Sequence, residues 1–175
     1  MRTIAILAGA ALAFATAAVI FGLRAAGKAD AGGFLGPGSL LGDSNLILEL
    51  LLVLGLSLGM LLARQGRIEA HRVNQTIWAL VNVALVVAVM APSLQNAKIG
   101  SLAELRHASA ALPWLHATLG ALTVVAALWL VLQMNDILPE RWHVSWWRSL
   151  MRLTLAGYWT VALLGIALYF QWYVG

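Results

Sequence analysis

Five apolar runs, each close to the roughly 20 residues that a helix needs to cross a hydrocarbon core, occupy most of this 175-residue chain. They lie at Thr3 to Leu23, Asn45 to Ala63, Val73 to Ala91, Pro113 to Met134 and Leu153 to Val174, and Glu49 is the only fully charged residue inside any of them. Within a bilayer every backbone N–H and C=O must find a partner inside the protein, so runs of this length form helices. The expected fold is an all-α, polytopic membrane bundle of five transmembrane helices. With 62% hydrophobic and 10% charged residues, the chain departs far from the roughly 25% charged content of soluble domains. An ordinary soluble enzyme is excluded.

The formal net charge is +4, from 11 Lys plus Arg against 7 Asp plus Glu. The high pI therefore reflects scarce charges, and lipid head groups are a better partner for these cations than nucleic acid. Without cysteine there are no disulfides, thiolate metal sites or Cys-attached haem. Orientation follows from the excess of Lys and Arg in cytoplasmic loops. An inner N-terminus puts Arg2, Arg64, Arg67, Arg72, Arg141, Arg148 and Arg152 inside, against Arg24, Lys28, Lys98 and Arg106 outside. Seven against four predicts N-in and C-out. Trp142, Trp146 and Trp147 then mark the inner interface, and Trp114, Trp172 and Tyr173 the outer one.

The first run has features of a signal peptide, since Arg2 precedes it and Ala29-Asp30-Ala31 forms an A-x-A site. Its apolar core is longer than the roughly 7 to 15 residues of a signal, which predicts a retained helix. The expected organisation is an N-terminal helix over 1–24, an outer loop over 25–44 and a four-helix membrane domain over 45–175. Gly, Ala and Pro37 make the outer loop irregular. Ser101 and Glu104 form a capping-box pattern that predicts a short interfacial helix. The connection from Asn135 to Ser149, with Pro139 and the Trp cluster, is expected along the head groups. Gly55 and Gly59 form a G-x-x-x-G for close helix approach, within the chain or between copies. No nucleotide-binding loop, zincin or nucleophile-elbow motif occurs, so catalysis is not the default reading.

Ionisable groups inside the bilayer are expensive and often functional, which brings Glu49 and His116 forward. Each is expected about one turn into its span, roughly 6 Å below the helix end, so the two can meet at one depth. With His107 in the preceding loop and Asn45 one turn above Glu49, they form a candidate outer cluster. Imidazole and carboxylate suit iron, copper or zinc, and imidazole alone suits haem iron. The competing reading is that Glu49 and His116 bond each other or reach the interface. His71 and His143 fall on the inner side, as a second pair or as head-group contacts. Asn82 is expected to bond a neighbouring helix, and Asn74 and Gln75 to be wetted. Trp78, Trp129, Tyr158 and Trp159 can flank a haem or quinone, or only pack. Arg72 and Arg152 suit a lipid phosphate or a haem propionate.

From Asn45 onward the chain resembles a family of small bacterial four-helix membrane proteins that includes the CtaM-type maturation factors of haem–copper cytochrome oxidase. The resemblance rests on the basic stretch Arg64-Gln65-Gly66-Arg67-Ile68-Glu69-Ala70-His71-Arg72, on Leu115-His116, and on Arg152, Trp159, Gly165 and Tyr169 in the last run. Asn45, Ala91 and Pro92 stand where that family tends to carry outer histidines, so Glu49 and His107 would have to substitute. The resemblance implies a bacterial cytoplasmic-membrane protein that assists assembly of a respiratory complex, with haem b or copper as cofactor and other membrane subunits as partners. Competing expectations are a b-type haem cytochrome carrying electrons, a structural subunit, and a proton or ion carrier using Glu49 and Asn82.

Overall fold

The computed structural model describes residues 2–94 and 102–174. Among the described residues, five helices are long and apolar enough to cross a membrane, and the chain is a multi-pass membrane protein. We label them α1 (Arg2–Ala25), α2 (Leu40–Arg64), α3 (Ile68–Leu94), α4 (Ala108–Met134) and α5 (Trp147–Tyr173). The end that holds the connections after α1 and α3 is called the outer end, following the charge count.

Every helix but the first begins at least five residues before its apolar run. Hydropathy falls where charged residues enter the head groups, yet the backbone ladder continues there because an open turn would leave N–H groups unpaired. The largest consequence is at α2, which starts at Leu40 and takes in five residues assigned from sequence to the outer loop. Ser39 is its N-cap and accepts a 3.1 Å hydrogen bond from the Gly42 N–H. Asp43 therefore belongs to the first turn of α2 and is fully buried.

Packing forms a ring in the order α2, α3, α4, α5, closed by contact between α2 and α5, while α1 lies outside against α3. Without a hydrophobic force between helices in lipid, small residues and polar bonds hold such contacts. At Gly9 of α1 a Cβ would lie 2.9 Å from Leu80 and 3.2 Å from the Ile77 backbone. Gly55 faces the Trp78 ring, and Gly59 faces Asn74 and Gln75, so the G-x-x-x-G turns toward α3 of the same chain. Through that gap Asn74 donates to the Gly55 carbonyl at 2.8 Å and Gln75 to the Leu56 carbonyl at 3.0 Å. Neither amide is left to water alone; both bond α2 backbone across the seam.

In α3 the turn over Val86–Met90 is a π-helix, in which the Ala91 N–H reaches the Val86 carbonyl. Pro92 lacks the N–H that would bond residue 88 and crowds that carbonyl, which accounts for the widened turn. The connection after α1 folds over the outer end and is fastened by Asp43. That carboxylate accepts from the Tyr169 hydroxyl at 2.6 Å and from the Leu35 N–H. The inner connection after α4 is pinned by Gln133, which exchanges two hydrogen bonds with the Val144 backbone at 2.9 and 3.2 Å. Ser101 lies outside the described residues; the segment after it forms one 3-10 turn, Leu102–Arg106.

Candidate functional site

Diagonal helices of the ring are not in extensive contact, and the space left between them opens as a cavity at each end. The outer cavity is about 860 Å³ and the inner one about 520 Å³. Both volumes fall in the range of ligand and cofactor sites. Tyr158 lines both. Its hydroxyl donates to Asn82 Oδ1 at 3.2 Å, so one buried α5–α3 hydrogen bond stands between the two chambers. Replacing Tyr158 by Phe should cost only about 0.6 kcal/mol, the mean for interhelical bonds in lipid, and at most about 1.7 kcal/mol. Thermal unfolding in detergent measures it; a larger loss would mean that the bond holds the two halves of the bundle together.

Glu49 and His116 both line the outer cavity, and Gly165 of α5 is where they converge. A Cβ on Gly165 would lie 2.7 Å from Glu49 Oε2 and 3.4 Å from His116 Cε1. Because α2 and α4 begin earlier than their apolar runs, these side chains sit about 13 and 12 Å along their helices, twice the sequence expectation but still level with each other. Glu49 is buried, and its Oε1 accepts 2.8 Å from Asn45 Nδ2. His116 Nδ1 is buried with no hydrogen-bond partner. Such an orphaned donor or acceptor costs free energy unless a group outside the chain completes it.

Leu52, Val53, Val86, Val89 and Val161 give this cavity apolar walls. Arg24 at the end of α1 also lines it, and the Arg24 Nε is buried and unpartnered. In the sequence Arg24 registers only as a topology charge. An interfacial arginine carries the same sequence signal whether it faces lipid or a chamber, so nothing in the chain separated the two.

His107 is not brought to this site. It is the exposed N-cap of α4 and does not line the cavity. Among the described residues, no three His, Asp or Glu side chains gather in a geometry that could hold a metal ion. The candidate cluster thus reduces to Glu49, His116 and Asn45, with Arg24 added. At the inner end, His71 is buried and its Nδ1 bonds the Gly59 carbonyl at 2.7 Å, whereas His143 is exposed and bonds its own loop at Leu138 O, 3.0 Å away. The two inner histidines are not a pair: His71 lines the inner cavity and His143 does not. Arg72, bonded to Glu69, and Arg152 both line that cavity. Trp78 packs on Gly55, Trp129 stacks on Trp142 at 5.9 Å, and Trp159 donates to Ser57, so these rings are engaged with protein.

Comparison with protein-family models, curated proteins and solved structures finds no match to this chain in any of the three.

Proposed function

We propose that this chain is an integral membrane accessory protein of a respiratory electron-transfer complex, of the haem–copper oxidase maturation type, and that it handles haem b at the outer cavity. The observation that carries the reading is His116, whose buried Nδ1 has no hydrogen-bond partner and which lines a chamber of about 860 Å³ beside Glu49. The residues present fit that group. His116 offers an imidazole, the one protein ligand that haem iron needs. Arg24 offers an unpaired guanidinium nitrogen for a propionate, and the valine and leucine walls suit a porphyrin face. When bound, the haem supplies a redox-active iron. Glu49, anchored by Asn45, keeps Oε2 on the His116 side of the chamber, where it orients the imidazole or accepts a proton.

Handling is favoured over permanent electron carriage by the placement of the other histidines. Each cavity is lined by a single imidazole, because His107 and His143 lie outside both. A carrier of the bis-imidazole type needs two per haem. The bacterial cytoplasmic membrane and partnership with other membrane subunits follow from the resemblance of the Asn45-to-Gly175 portion and belong to the same proposal. Replacing His116 by Ala should leave the chain at normal level in the membrane while assembled haem–copper oxidase is lost from the host's spectrum and oxygen-uptake activity. Normal oxidase in that variant would sink the assembly reading and favour a structural subunit. Stoichiometric haem with a low-spin spectrum in the native protein would favour the b-type cytochrome.

A further inference from the structure

The inner cavity is separate from the outer site and differs from it in charge. Arg64, Arg72, Arg148 and Arg152 stand among its lining residues, and no Asp or Glu does. Glu69 pairs with Arg72 from outside the cavity. Even so, Arg72 Nε is buried and without a partner. Two helix N-termini add to this field, since α3 and α5 both begin at this end and neither has a side-chain cap. Their first-turn N–H groups carry partial positive charge. Arg148 lies over the Trp147 ring, 5.0 Å from its centroid, at the depth where amphipathic rings sit.

Behind this mouth the walls change character. Leu56, Ala79, Ala127, Leu130 and Leu155 line an apolar shaft that ends at Tyr158. His71 lines the same wall and is held by a hydrogen bond to the α2 backbone. Since Gly59 O can only accept, Nδ1 is the donor in this bond. A small anion would satisfy the arginines and leave an apolar shaft empty, and an apolar molecule would fill the shaft and leave the arginine-lined mouth without an anion. The occupant must join an anionic head to an apolar tail.

We propose that the inner cavity binds one anionic phospholipid, with its phosphate against Arg72, Arg148 and Arg152 and an acyl chain in the shaft. The site does not depend on what occupies the outer cavity, and its test leaves that reading untouched.

The experiment is native mass spectrometry of the full chain in a neutral detergent, titrated separately with phosphatidylglycerol, phosphatidylcholine and glycerol phosphate. One phosphatidylglycerol per chain should be retained, with phosphatidylcholine and glycerol phosphate each bound at least tenfold more weakly. Arg148 and Arg152 are exposed, so the double variant Arg148→Gln/Arg152→Gln should fold with unchanged thermal unfolding. It should lose about tenfold or more in phosphatidylglycerol affinity. Equal binding of the two lipids, or phosphatidylglycerol binding indifferent to the double variant, would overturn the proposal. Glycerol phosphate bound as tightly as the lipid would overturn it too, leaving a site for free phosphate esters with no role for the shaft.

Discussion

Gly165→Ala is expected to weaken ligand binding at the outer cavity about 10–100-fold while leaving the protein as stable as the wild type or slightly more so. The two effects separate because of what the new methyl group meets. Its nearest neighbour is Glu49 Oε2 at 2.7 Å, the free end of a flexible side chain, and the next is His116 Cε1 at 3.4 Å. The carboxylate can swing aside at little cost to packing. Alanine in a helix interior meanwhile gains about 0.5–1 kcal/mol over glycine. The site has no such tolerance, since displacing a group that orients a ligand typically costs about 10–100-fold in affinity. Haem affinity and thermal unfolding measured on the same preparation check the pair of outcomes. A variant that binds as well as wild type would show that Glu49 and His116 do not act together.

Gly55→Leu is expected to have the opposite signature, a large loss of stability that reaches both cavities. Here a Cβ would run into the Trp78 ring, whose bulk has no free end to move. Overpacking of this kind costs about 1–3 kcal/mol. Separation of α2 from α3 would also lengthen the bonds from Asn74, Gln75 and His71 to the α2 carbonyls, each worth about 0.6 kcal/mol on average in lipid. Thermal unfolding in detergent should fall well below that of Gly165→Ala, and the chain should be depleted from the membrane. Wild-type stability would mean that the seam can slide open at no cost.

The contrast between these glycines shows what was legible in the chain. Five helices could be read directly, because lipid tolerates few alternatives to an apolar helix of this length. Their ends could not, because hydropathy registers side chains while the ladder of α2 runs back through Gly42 and Asp43 to Ser39. The same lag made Glu49 and His116 look shallower than they are. Their shared level survived because both helices were extended at the outer end by similar lengths. Facing was the other blind spot. In a helix apolar on every side, nothing distinguishes Arg24 over a chamber from an arginine in the head groups. Closeness to an interface makes Asn74 and Gln75 look wetted, whereas the gap left by Gly55 and Gly59 lets them reach the α2 backbone. His107 and His143 were grouped with His116 and His71 by side of the membrane alone, and the helix ends carry them out to the surface.

The most direct test of the outer-site account is a haem titration of the purified full chain, followed through its absorption spectrum and repeated with His116→Ala, His107→Ala and His143→Ala. The account predicts saturation at one outer-site haem with a single axial imidazole, lost in His116→Ala and retained in the other two variants. Binding unchanged in His116→Ala, or a bis-imidazole spectrum that needs His107 or His143, would contradict it.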